Sequence, residues 1–147
     1  MSIEPQRIRE ILLVEDDPTD VLLTREALRA AHVVVNLRVV GDGVEAMDFL
    51  RRQGQYLTAP RPDLVLLDLN LPRKDGCEVL TELKADPRLR RIPVIVMSTS
   101  TAPAHVLRVY ELHGNCYLAK ADSFTGFTEV MKSLEQFWLR CAVLPRE

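Results

Sequence analysis

The stretch DLVLLDLNLPRKDG, residues 63–76, decides how the chain is read. Its four consecutive aliphatic residues, Leu64 to Leu67, are too few for a helix and too apolar for a strand with one wet face. They suit a strand covered on both sides, as in a parallel sheet. Asp68 follows them directly. Pro72 and Gly76 then punctuate the chain before the stripe Val79, Leu80 and Leu83 announces a helix. A carboxylate at the end of a buried strand needs a partner for its charge, because an uncompensated buried charge is very costly.

The pattern repeats on either side. Apolar runs at Ile8 to Val14, Val33 to Val40, Ile92 to Met97 and Cys116 to Ala119 predict four more strands. Between them lie helical stripes: Leu22, Leu23, Ala27 and Leu28; Val44, Met47 and Leu50; Val106, Val109, Tyr110 and His113. A last stripe runs Phe124, Phe127, Val130, Met131, Leu134, Phe137 and Trp138. Strand alternating with helix five times predicts a doubly wound α/β domain with a five-stranded parallel sheet. Pro18 and Pro103 fall where a first helical turn tolerates proline, Gly114 closes the fourth helix, and Pro93 must start its strand. The polar segment RRQGQYLTAPRP, residues 51–62, is longer than the usual connection and predicts a surface excursion.

Bulk properties narrow the function classes. The chain has 147 residues, 47% of them apolar, and a net charge of −2, which suits one globular domain and gives no electrostatic case for nucleic acid. Arg51-Arg52 and Arg88 to Arg91 read as solvated surface in preference to a phosphate-binding patch. Cys77, Cys116 and Cys141 are scattered without zinc-type spacing, so reduced thiols are expected, with a cross-chain disulfide through Cys141 as the alternative. The opening MSIEPQRIRE lacks the apolar core of a signal peptide, and no run has the roughly 20 apolar residues of a membrane span. The expectation is a soluble, cytoplasmic single domain, its core about residues 8–141 with a short extension at 142–147, leaving no room for an output domain.

Ligands of parallel α/β sheets bind outside the carboxyl ends of the strands. There the first strand is followed by Glu15, Asp16 and Asp17, the third by Asp68, Leu69 and Asn70, the fourth by Ser98, and the fifth by Lys120. Singly, these have plain explanations: Asp16 or Asp17 as a helix cap, Ser98 as a turn hydroxyl, Lys120 as a surface lysine. Together, converging carboxylates repel one another unless a cation intervenes. Oxygen donors with no His or Cys favour a hard cation, hence Mg²⁺. Lys120 and Ser98 are then placed to meet a phosphoryl group on Asp68.

The segments LLVEDDP, DLVLLDLNLPRKDG, IPVIVMSTS and CYLAK resemble the receiver domain of two-component response regulators over nearly the whole chain. The resemblance implies a flavodoxin-like receiver fold with strand order 2-1-3-4-5. It implies that Glu15 and Asp16 hold Mg²⁺ with Asp68 and the backbone carbonyl of Asn70, and that Asp68 accepts a phosphoryl group from a histidine kinase. By the same match Ser98 and Lys120 contact that group, and Tyr117 is the aromatic that swings during switching. The long excursion before the third strand, LNLPRKDG and NCYL look like stand-alone regulators paired with phytochrome-type kinases. One departure stands out: the family's proline after the lysine is Ala121 here. A cis bond before a non-proline residue costs about 2.5–4 kcal/mol, so the Lys120–Ala121 bond is either trans with a rearranged loop or strained.

The expected output is a change in the surface of the fourth helix, fifth strand and fifth helix. The apolar residues Phe137, Trp138 and Leu139, then Cys141, Ala142, Val143 and Leu144, suggest a homodimer through that region, against a tail that folds back on its own domain. Two rival readings are a haloacid-dehalogenase-type phosphatase and a phosphorylation-independent interaction module. The first normally carries its nucleophile on the first strand with a second Asp two residues on, where this chain has Asn70. A module that had abandoned phosphorylation would be expected to have lost one of Glu15, Asp16, Asp68, Ser98 and Lys120.

Overall fold

The computed structural model describes residues 8–145. The chain alternates β1 (Arg9–Val14), α1 (Pro18–Ala30), β2 (Val35–Val40), α2 (Gly43–Arg51), β3 (Leu64–Asp68) and α3 (Gly76–Ala85). It continues with β4 (Val94–Ser98), α4 (Pro103–Glu111), β5 (Cys116–Ala119) and α5 (Phe124–Leu134). All four strand pairings are parallel and the sheet order is β2-β1-β3-β4-β5. This is the doubly wound, flavodoxin-like fold expected from the sequence.

Strand alternation sorts the core into two layers. Leu12, Val14, Val65, Leu67, Val94 and Val96 pack with residues of α2, α3 and α4. Ile11, Leu13, Leu64, Leu66, Ile95 and Met97 pack with α1 and α5. Every residue of β3 and β4 is buried, which is why their sequences run apolar without a break. The outer strands correct the expectation of full burial: β2 alternates, with Asn36 and Arg38 exposed, and β5 is only half-covered. The strands also start later than their apolar runs, because Ile8 and Val34 are exposed, while Ile92 and Pro93 are buried ahead of β4.

Asp17, Asp42, Asp75 and Ser123 cap α1, α2, α3 and α5, each side chain accepting a hydrogen bond from a first-turn N–H. Pro18 and Pro103 occupy first positions of α1 and α4, as expected. Gly114 follows the end of α4 as expected, while the left-handed residue there is His113 (φ 69°). Glycine is needed next to it for space, since a Cβ there would lie 2.6 Å from Val109 Cγ1. Five residues of the predicted stripes, Leu22, Tyr110, His113, Phe124 and Phe137, face solvent. The excursion at residues 51–62 contains one 3₁₀ turn, Gly54–Tyr56, whose tyrosine ring packs against Phe49.

The helical path of α5 continues as a π-helical segment, Glu135–Cys141. Trp138 and Leu139 pack against the α1/α5 layer and Leu144 is buried, so the tail folds back in part. Phe137 and Val143 remain exposed, the latter at 97%. All three cysteines are free thiols, Cys141 exposed and the others half-buried. No helix among the described residues is long and apolar enough to cross a membrane. The reading of the N-terminal residues 1–7 lies outside the described residues, as do the last two of the C-terminal extension.

Candidate functional site

β1 and β3 are neighbours in the sheet, with Val14 paired to Leu67, so the residues that follow them emerge side by side. Glu15 and Asp68 are buried at 3% and 8% exposure, while Asp16 is exposed. Carboxylate oxygens of these three residues lie within 4.8 Å of one another, a grouping that could hold a metal ion. Oxygen-only donors at such spacing match a hard divalent cation.

Lys120, from the end of β5, reaches across the sheet into this cluster. Its Nζ donates to Glu15 Oε1 at 2.6 Å, Asp20 Oδ2 at 2.8 Å and Asp68 Oδ2 at 3.3 Å, with only 8% of its side chain exposed. Burial would pull the ammonium's pKa down, but hydrogen bonds to Asp20 and Glu15 and the negative charges around it win, holding it above the ordinary lysine range. Burial pushes the Glu15 carboxyl up to about 8 and Asp68 adds to the shift, against the opposing pull of Lys120. Two buried carboxylates sharing one ammonium are thus under-compensated.

The loop after β3 is held by close backbone packing. A Cβ at Gly76 would fall 2.4 Å from the Asp68 carbonyl oxygen, and one at Gly43 would fall 2.0 Å from that of Lys74. Arg73 takes a left-handed conformation (φ 67°) and its Nη1 pairs with Asp42 Oδ2 at 3.1 Å. These contacts tie the loop to the start of α2. Within it, the Asn70 N–H donates to Asp68 Oδ1 at 3.2 Å, so Asn70 stands beside the cluster.

The end of β4 carries Ser98, 2% exposed, whose Oγ accepts from the Ser100 N–H at 3.2 Å. The half-buried Tyr117 donates from its hydroxyl to the Ser100 carbonyl at 2.7 Å, and Ser100 Oγ meets His105 Nδ1 at 2.7 Å. All described peptide bonds are trans, which settles the Lys120–Ala121 alternative in favour of a trans bond. Ala121 packs toward α5, where only a glycine fits: a Cβ at Gly126 would lie 2.6 Å from Ala121 Cβ.

The structure therefore brings Glu15, Asp16, Asp68, Asn70 and Lys120 together. Ser98 and Tyr117 meet through Ser100 beside them. Asp20 was not foreseen. It sits in the first turn of α1, where an acidic residue is already explained by the helix dipole, so the sequence carries no separate signal for its bond to Lys120.

Comparison with known proteins agrees with this geometry. The family described as the response regulator receiver domain matches residues 11–132. Response regulator Rcp1 of Synechocystis sp. is 46% identical over 145 residues, covering 99% of each chain. The crystal structure of the phosphorylated cyanobacterial phytochrome response regulator RcpA, 48% identical, superimposes with a TM-score of 0.90 over 95% of this chain and 100% of that one. The Mn²⁺-bound form of Rcp1 is 46% identical, with a TM-score of 0.87 over 94% of this chain and 99% of that one. On fold, sequence and site together, the chain belongs to the response regulator receiver domain family.

Proposed function

We propose that the chain is a phosphoryl-accepting switch in which Asp68 takes a phosphoryl group from a histidine kinase, a phytochrome-type kinase in keeping with its relatives. The observation that carries this reading is the convergence of Glu15, Asp16, Asp68 and Lys120 at one edge of the sheet. The donor set fits Mg²⁺ held by Glu15, Asp16 and Asp68 with the Asn70 carbonyl. When bound, Mg²⁺ supplies positive charge against the oxygens of the incoming group.

An Asp68 carboxylate oxygen bonds to phosphorus as the phosphorus–nitrogen bond of the donor phosphoimidazole breaks, and the leaving imidazole keeps the electron pair. Lys120 is already at Asp68 Oδ2 and needs only to shift from carboxylate to phosphoryl oxygen. Ser98 accepts a bond through its oxygen, so its own proton is available to a phosphoryl oxygen. The resulting pull on the β4–α4 loop changes the surface of α4, β5 and α5 as a shift between two packings. Exposed Leu107, Tyr110, Phe137 and Val143 support self-association through that surface and the C-terminal segment. The reading further takes the protein to work in the cytoplasm as one domain, with slow self-dephosphorylation in place of substrate turnover.

Acetyl phosphate with Mg²⁺, followed by intact-mass measurement, tests the reading. One added phosphoryl group is expected, lost with a chelator and in Asp68→Asn. An Asp68→Asn protein that still acquires one stoichiometric phosphate would remove Asp68 as acceptor.

A further inference from the structure

Lys120 pairs with three carboxylates, and only two of them belong to the acidic cluster. Glu15 and Asp68 share the oxygen grouping that fits a cation; Asp20, the third partner, stands outside it. The ammonium and a divalent cation therefore compete for the same Glu15 and Asp68 oxygens. In the structure the ammonium already sits nearer the outsider than the acceptor: Nζ lies 2.8 Å from Asp20 Oδ2 and 3.3 Å from Asp68 Oδ2.

Backbone fixes both ends of the Asp20–Lys120 bridge. Asp20 lies in the first turn of α1, which starts with Pro18 and is capped by Asp17 through the Thr19 N–H. Its carbonyl accepts from Thr24 Oγ1 at 2.8 Å, one turn on. The Lys120 N–H donates to the Ser98 carbonyl at 2.8 Å, which holds the lysine at the end of β5. Because α1 and α5 share one face of the sheet, the core sets the gap that the bridge spans. Capping is already supplied by Asp17, and the helix dipole favours an acidic residue without specifying a partner. Neither accounts for a carboxylate, 27% exposed, bonded to a lysine side chain that is 8% exposed.

Retreat inward is closed to Lys120. Leu13, Met97 and Phe127 line the space beside it, and the Thr24 hydroxyl there is turned to the Asp20 carbonyl. A buried ammonium without an anion is very costly, so one released by Glu15 and Asp68 needs Asp20.

We propose that Asp20 is a positioning residue for Lys120: it keeps the ammonium beside Asp68 when Glu15 and Asp68 turn to a cation. Metal and lysine can then occupy the site together. The inference rests on the proposed phosphoryl-accepting function, which needs both at once.

The test is a double-mutant cycle on the full chain, read by Mg²⁺ titration without a phosphoryl donor. Asp20→Ala should weaken Mg²⁺ binding roughly tenfold in the parent, the low end of what a hydrogen bond to a charged group contributes. In the Lys120→Met background the same substitution should weaken it by about threefold or less, the effect of losing one screened charge. Equal losses in both backgrounds would mean that Asp20 acts on the cation directly, and would overturn the proposal. The ¹⁵N–¹H signal of the Lys120 ammonium under saturating Mg²⁺ decides the matter should Lys120→Met not fold. It should be protected from exchange in the parent and lost in Asp20→Ala; a signal missing from the parent, or unchanged in the variant, overturns the proposal. A parent that binds no Mg²⁺, or that acetyl phosphate does not label, overturns the proposed function and this inference with it. A parent that does both, with equal losses in the cycle, overturns the inference alone.

Discussion

Replacing Lys120 with methionine keeps the buried stem and removes the charge that three carboxylates share. Its contacts at 2.6, 2.8 and 3.3 Å are each worth roughly 5–6 kcal/mol of gross attraction at an effective dielectric near 20. Desolvating the ammonium cancels much of that sum, and breaking a buried pair typically costs about 3–5 kcal/mol because the partners are left uncompensated. The loss depends on pH. Glu15 has its folded-state value raised from 4.5 to about 8, chiefly by burial, so the metal-free folded protein holds a proton that the unfolded chain has released. Stability therefore falls as pH rises from 4.5 through 8 in the parent protein, and the variant suffers most above that window. Urea denaturation without metal should show Lys120→Met destabilised by about 3–5 kcal/mol at pH 9 and by clearly less at pH 6. Mg²⁺ should restore part of the loss at pH 9 and bind the variant more tightly, because Lys120 no longer competes for Glu15 and Asp68. A loss under about 1 kcal/mol at both pH values would refute the argument that Lys120 is the principal compensating charge.

Other perturbations probe the scaffold. Gly43→Ala would drive a methyl to 2.0 Å from the Lys74 carbonyl, so denaturation should report a loss of about 1–3 kcal/mol or more, and Mg²⁺ titration a weakened site because the β3–α3 loop must move. Leu80→Ala, in the fully buried layer under α3, should cost about 2–5 kcal/mol in denaturant while acetyl phosphate still labels the folded fraction. Tyr56 is raised from 10.0 to about 12 by burial and by its bond to Glu45, so the parent loses stability as pH rises through 10 to 12. Tyr56→Phe should flatten that part of a melting-temperature profile, and an unchanged slope would assign it to other groups.

The layered fold was legible because β3 and β4 are covered on both faces, and burial on both faces forces an unbroken aliphatic run. Residues just ahead of a strand carry no such constraint, which is why Val34 and Ile8, each one residue before its strand, looked like core and are not. Tyr110 and Phe124 misled for a related reason: a helical stripe reports spacing, not which neighbour covers it. The acidic cluster was legible since each member stands at or just past the end of a strand, and parallel strands bring their ends to one edge. Asp20 was not, because it reaches Lys120 from a helix, 100 residues away in the chain.

Ser100 explains how a change at Asp68 would be felt on the far side of β5. Its N–H donates to Ser98, its carbonyl accepts from Tyr117, and its hydroxyl meets His105 on α4. In the structure Tyr117 already lies half-buried with its hydroxyl bonded, so on the proposed switch the ring does not enter from solvent. What changes is the position of its acceptor: a Ser98 drawn toward a phosphoryl oxygen carries the Ser100 peptide with it. Tyr117 then follows the carbonyl inward or loses its bond, and losing the hydrogen bond of a half-buried hydroxyl costs about 0.5–1.5 kcal/mol. That cost reaches the lower end of a typical coupling energy between two sites. Because α4 is tied to the same residue through His105, the helix and the tyrosine would respond together, and Tyr117→Phe would leave phosphorylation of Asp68 intact while weakening its effect on the α4–β5–α5 surface.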